Sequence, residues 1–196
     1  MSNQPLLPRC FWAGDDELMQ AYHDTEWGVP VHDDRDLFER LLLECFQAGL
    51  SWRTILHKRE NFRRAFDNFD ATKIAAYDEE KIVSLLGDAG IVRNRLKVRG
   101  AVRNAKAFLR LVEENGTFSA WLWHFVDNTP LLPAVPLTPE TIPTETDVAR
   151  ALSKALRKAD FTFVGPTICY AFMQSVGMVD DHTVGCFKYR GPAAEN

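Results

Sequence analysis

The sequence predicts an all-α domain. No segment sustains a period-two alternation of apolar and polar residues, and Asp, Ser or Thr repeatedly stands just ahead of a helix-period apolar run. A length of 196 residues with 46% hydrophobic side chains suits one ordinary domain with a sizeable core. Residues 1–8 read as a loose leader, 9–189 as the domain (two helical lobes with a pocket between them fit the length), and 190–196 as a tail.

Asp15-Asp16 caps a first helix carrying Leu18, Ala21 and Tyr22, with His23 beside them and Trp27-Gly28 closing the segment. Asp33 and Asp34 cap a second, apolar helix that ends in a Gly-marked turn at Gly49. Ser51 caps the third, roughly 52–66, whose surface offers Arg53, Lys58, Arg59, Arg63 and Arg64. Asp70 and Asp78 open two short helices, the latter ended by Gly87 and Gly90. Trp121, Trp123 and Phe125 mark an apolar helix. Pro130, Pro133, Pro136, Pro139 and Pro143 exclude a helix interior and read as a stiff crossover loop. Thr146 or Asp147 starts the next helix, with Ala151, Leu152, Ala155 and Leu156 inward. Phe161 to Thr167 then forms a short hairpin with Gly165-Pro166, followed by a helix over 168–176.

Glu44 is the unusual residue of the second helix. It shares a face with Leu37, Leu41 and Ala48, where a carboxylate is costly unless paired, hydrogen-bonded or protonated. A pair with Arg40, one turn earlier, is one account. The other is a pocket for a flat polar ring, because Trp52 stands just beyond the Gly49-Leu50 tip.

The formal charge of -4 argues against indiscriminate nucleic-acid binding but leaves room for a local basic face. Arg93, Arg95, Lys97, Arg99, Arg103, Lys106 and Arg110 follow one another without an acidic residue between them. Such a run is either a solvated helix face or a phosphate-tracking surface. The hairpin at Gly165 and Thr167 offers free backbone amides at a helix start, where a phosphate fits. If this surface holds DNA, Leu50 at the Gly49-Leu50 tip is the residue to wedge into the duplex.

No N-terminal apolar run resembles a signal peptide, and no stretch of about 18 apolar residues could span a membrane. The four cysteines at 10, 45, 169 and 186 are therefore expected reduced, in a cytoplasmic protein. Cys10 and His23 near one end, with His182 and Cys186 near the other, make a complete tetrahedral zinc set. Two buried thiols and two ordinary histidines are the alternative.

The segments Cys10-Phe11-Trp12, Ala21-Tyr22-His23-Asp24-Thr25-Glu26-Trp27-Gly28, Leu43-Glu44, Gln47-Ala48-Gly49-Leu50-Ser51-Trp52, Lys58-Arg59-Glu60-Asn61, Phe163-Val164-Gly165 and Asp181-His182-Thr183-Val184-Gly185-Cys186 are found here in unbroken order. In them the chain resembles the bacterial 3-methyladenine DNA glycosylase I (Tag) family, over about Pro8 to Tyr189. The resemblance implies a helix–hairpin–helix DNA glycosylase fold with one structural zinc on Cys10, His23, His182 and Cys186. It implies a monofunctional enzyme of base excision repair, a monomer in the bacterial cytoplasm near the nucleoid. That enzyme would take 3-methyladenine out of alkylated double-stranded DNA and release the free base. Glu44 and Tyr22 would hydrogen-bond the extruded base, Trp52 would stack on it and Trp27 would line the pocket, with Glu44 the catalytic candidate.

Two positions depart from the family's pattern or raise a question. Met19 stands where the family often has a second aromatic wall, which implies weaker or broader base selection, although a thioether still lies well against a ring. Asp180 precedes His182 by two residues, where many helix–hairpin–helix glycosylases carry a catalytic Asp that Tag proteins are described as lacking. A glycosylase for another lesion and a non-catalytic, zinc-stapled DNA-binding module remain the competing readings.

Overall fold

The computed structural model describes residues 7–192; residues 1–6 of the expected leader and 193–196 of the expected tail lie outside the described residues. Nine α-helices occur among them: α1 Glu17–Thr25, α2 Asp34–Gln47, α3 Trp52–Ala65, α4 Ala71–Ala75, α5 Glu79–Gly87, α6 Arg95–Asn115, α7 Phe118–Trp123, α8 Asp147–Lys158 and α9 Pro166–Ser175. No strand forms among the described residues beyond one isolated parallel bridge, Leu131 to Val179.

Most helix starts are made by the side chains read from the sequence. Asp16 accepts from Leu18 N and Met19 N, Asp33 from Arg35 N and Asp36 N, Ser51 from Thr54 N, and Thr146 from Ala149 N. Asp34 differs from expectation. Its carboxylate takes Phe118 N at 2.9 Å and Ser119 N at 2.8 Å, so it caps α7 rather than its own helix. The last helix begins at Pro166, two residues before the expected start, with Gly165 as its N-cap.

Two faces also differ from the sequence reading. In α1 the buried residues are Met19, Tyr22 and His23, while Leu18 and Ala21 face solvent. In α8 Ala151 is exposed and Ser153 is buried, its hydroxyl donating to Val164 O at 2.6 Å.

The main core gathers α2, α3, α6, α8 and α9 around Leu37, Phe38, Leu41, Phe46, Phe62, Phe66 and Phe172. A second, smaller cluster joins the two ends of the chain through Cys10, Met19, Tyr22, Trp27, Leu56 and Cys186. Trp52 packs against both clusters. A cavity opens along that seam.

A candidate base pocket beside a Cys/His cluster

A cavity of about 540 Å³ is lined by Met19, Tyr22, Trp27, Glu44, Gln47 and Trp52, with Phe11 and Trp12 from the N-terminal segment. Its size suits a heterocyclic ring system. Its far side comes from Pro139, Ile142, Pro143 and Thr144, and from Ala171 and Gln174 of α9. The proline-rich connection is thus a pocket wall as well as a crossover.

Glu44 is 3% exposed, and its Oε2 has no hydrogen-bond partner. Burial pushes its carboxyl up to about 8, with the nearby Arg40 charge acting in the opposite direction. Arg40 does not pair with it. The Arg40 guanidinium donates to Ser175 O at 2.6 Å and reaches Glu26 at 3.5 Å, which removes the structural-pair account. Two further buried polar atoms lack partners in this wall, Gln47 Oε1 and Trp52 Nε1. Buried polar atoms are rarely left unsatisfied, and three sharing one cavity mark a place for a polar ligand. Gln47 is a site residue that sequence reasoning misses. Its position three residues beyond Glu44, one helical turn away, is the signal that could have found it.

Tyr22 is 3% exposed, with its ring centroid 5.1 Å from that of Trp52. Trp12 meets Trp27 edge-on at 5.0 Å, closing the floor. Behind the floor, Arg59 holds Glu26 through two bonds of 2.7 and 2.8 Å, and Arg63 holds Glu39. This ionic layer braces α1 against α2 and α3.

Cys10, His23 and Cys186 bring their donor atoms within 4.8 Å of one another, all buried. The His182 ring lies 5.3 Å from that of His23, and its Nε2 is buried without a partner. His23 Nδ1 donates to Asp24 at 2.8 Å and His182 Nδ1 to Asp180 at 2.6 Å. A carboxylate can only accept, so each imidazole carries a proton on Nδ1, which leaves Nε2 as the atom available to a metal. Backbone amides of Thr183 and Lys188 point at the sulfurs of Cys10 and Cys186, at 3.4 and 3.5 Å. The donor set, its outer carboxylates and the orphaned Nε2 suit a tetrahedral soft-ligand metal. Gly28 is required here: its φ is +72°, and a Cβ would sit 2.8 Å from His182 Cε1. Asp180 is buried against His182 and does not line the cavity.

The basic run is not an uncompensated stripe. Arg99 pairs with Glu79, Arg103 and Arg110 pair with Asp160, and Lys97 is buried. Arg93, Arg95 and Lys106 are exposed and belong to no ion pair among the described residues. The sequence alone could not show this, because the neutralising carboxylates come from other elements. Leu50 stands 43% exposed at the tip between α2 and α3. Thr167 is exposed in the first turn of α9, and Gly165 is half-buried beside Arg157.

The sequence profile described as methyladenine glycosylase matches residues 12–189. The chain belongs to that family. It is 49% identical over 185 residues to DNA-3-methyladenine glycosylase 1 of Escherichia coli (strain K12), covering 94% of this chain and 98% of that one. The crystal structure of a 3-methyladenine DNA glycosylase I superposes with a TM-score of 0.89 at 49% identity, covering 93% of this chain and all of that one. The 3-methyladenine DNA glycosylase I of Staphylococcus aureus, solved for the basis of its 3-methyladenine recognition, gives a TM-score of 0.88 at 34% identity. The matching covers 95% of this chain and 98% of that one.

Proposed function

We propose that the cavity receives the extruded base of a DNA-3-methyladenine glycosylase reaction, with Glu44, Tyr22 and Trp52 as the recognising groups and Trp27 and Met19 as walls. The observation that carries this is the group of partnerless buried atoms, Glu44 Oε2, Gln47 Oε1 and Trp52 Nε1, all on residues that line one ring-sized space. A pure phosphate-binding module has no use for a buried carboxyl.

Methylation at N3 makes the adenine ring a cation. Its N-glycosidic bond is already weakened, so the enzyme mainly extrudes and recognises the base. The cation is attracted to the indole face of Trp52. The Glu44 carboxylate accepts from the exocyclic amine in a charge-assisted bond. Normal adenine is neutral and loses part of both attractions. As the bond breaks, positive charge moves from the ring to an oxocarbenium-like sugar, which the ionised Glu44 or a backbone phosphate stabilises. Water then adds to the sugar carbon and gives up a proton to the ionised Glu44 or to solvent, leaving an abasic site and the neutral free base. Without a base bound, burial favours the neutral form of Glu44. The arriving cation favours its ionised form, so capture of the lesion releases a proton.

In the same reading α8, the hairpin at Gly165 and Thr167, and α9 form a helix–hairpin–helix grip on the DNA backbone. Arg93 and Arg95 extend that surface, and Leu50 fills the gap left by the flipped base. Arg99 has a smaller part than its place in the run suggests, since Glu79 already holds it. Cys10, His23, His182 and Cys186 hold one zinc ion, which supplies structural linkage and no chemistry. The protein acts as a monomer in the bacterial cytoplasm; among the described residues no helix is long and apolar enough to cross a membrane.

The test is direct. Duplex DNA carrying several alkylated bases is incubated with the protein, and the released bases are identified by chromatography. Release of 3-methyladenine ahead of all others is expected. DNA binding without release of any base would leave only the binding-module reading.

A further inference from the structure

One buried charge has no part in the pocket. Lys97, in the first turn of α6, is 7% exposed, and no carboxylate pairs with it among the described residues. Burying an ammonium is costly without compensation, and burial lowers the pKa of this one. Its Nζ donates to Phe46 O at 2.8 Å and to Ala48 O at 2.5 Å. The Phe46 carbonyl is one of the last four of α2, which have no partner within their own helix. A cation at that end also meets the negative pole of the helix.

The Ala48 carbonyl is the more informative partner. Leu50 N donates to Gln47 O at 2.6 Å, which closes a four-residue turn. Ala48 has φ -43° and ψ 115°, and Gly49 has φ +79°. These values define a type II turn, in which the third residue must tolerate a positive φ. Space is not the reason for glycine, since a Cβ on Gly49 would meet nothing within 4 Å. Types I and II differ by a flip of the central peptide, here the bond from Ala48 to Gly49. In a trans peptide the N–H points opposite the carbonyl. Holding the Ala48 carbonyl on the buried ammonium therefore turns the Gly49 N–H outward, next to the exposed Leu50 side chain.

We infer that Lys97 is a positioning residue for DNA, locking the Gln47–Leu50 turn in the form that presents the Gly49 amide and the Leu50 side chain together to the space vacated by the extruded base. The inference rests on reading Leu50 as the gap filler. It gives a buried member of the basic run a task that phosphate binding cannot explain.

Gap filling matters in a stacked duplex and not in a single strand, so the signature is a difference between substrates. Single-turnover release of 3-methyladenine is measured on methylated duplex and on methylated single strands, for wild type, Lys97→Met, Leu50→Ala and the double variant. Affinity for free 3-methyladenine is measured alongside. Lys97→Met should slow duplex excision about tenfold or more, since small misplacements of a positioned group carry such costs. Single-strand excision and free-base affinity should stay within about twofold, and the double variant should be no slower on duplex than the slower single, as expected for residues acting as one unit. If Lys97→Met does not fold, Lys97→Gln, which keeps a donor and removes the charge, takes its place in the same comparison. Equal losses on duplex, single strand and free base would overturn the inference, as would additive effects in the double variant. Slowed Leu50→Ala with normal Lys97→Met overturns it alone. Leu50→Ala at the wild-type duplex rate removes the gap-filling role of Leu50 and this inference with it.

Discussion

Glu44 concentrates the physics of the site in one side chain. Its carboxyl moves from 4.5 to about 8 by loss of solvation, offset only in part by Arg40. Between those two values the folded chain keeps a proton that the unfolded chain has released. The contribution of Glu44 to stability is therefore fully present below about pH 4.5 and is lost as pH rises through about 8, roughly a few kcal/mol through proton linkage. Glu44→Gln removes that dependence. The variant should melt at or above the wild-type temperature at pH 8.5, with the difference shrinking by pH 5. Its base release should slow by about 1–3 kcal/mol, the loss when a charged hydrogen bond becomes neutral. A variant that melts lower at pH 8.5 and releases 3-methyladenine at the normal rate would move Glu44 from the site to the scaffold.

At the scale of elements, the packing of α6 decides which cations of the basic run stay unpaired among the described residues. It donates Arg99 and Arg103 to ion pairs, buries Lys97 under the tip and leaves Arg95 exposed at its start, just after the exposed Arg93. Surface pairs of this kind add at most about 1 kcal/mol to stability, but they remove charge from a phosphate surface. Replacing Arg93 and Arg95 by Ala should weaken binding to undamaged duplex of any sequence. The slope of log affinity against log salt should flatten by about one for each phosphate that is no longer neutralised. Arg99→Ala should change that slope much less. A salt titration of the variants checks both statements, and equal slopes throughout would place the DNA elsewhere. The same helix anchors the hairpin before α9. Asn104 exchanges two bonds with the Thr162 backbone, at 2.8 and 3.1 Å, and Gly100 lies so close that a Cβ there would meet Thr162 and Phe163 at 2.9 and 3.0 Å.

For the whole molecule the question is what closes the pocket. One wall belongs to the main core and the other to the small cluster at the joined ends of the chain. A network continues from those ends into the cavity: Asp181, next to His182, accepts from Tyr170 and from Gln174, a pocket residue. Zinc bound by Cys10, His23, His182 and Cys186 would hold the second wall in place. Cys186→Ser should lose the metal, read by elemental analysis of the purified protein. Its melting temperature should fall by roughly 10 °C or more, as for a loss of several kcal/mol in a chain of this size. A metal-free wild type with the same melting temperature as the variant would refute the zinc.

Local physics is what the chain alone determined. Helix starts follow from Asp and Ser side chains that satisfy free amides within three residues, so they need no tertiary information. The absence of strands among the described residues and the oddity of Glu44 follow from periodicity in the same way. Contacts over long separations were settled only by folding. Asp34 caps a helix 84 residues away, Glu79 and Asp160 neutralise the basic run, and residues 139–144 wall the pocket. The carboxyl group that each cation meets depends on how helices pack, and no local pattern encodes that. The sequence thus named the acid and the indole, while the tertiary structure showed that Arg40 bonds elsewhere and leaves the Glu44 carboxyl buried, without a salt-bridge partner, in the wall of a cavity.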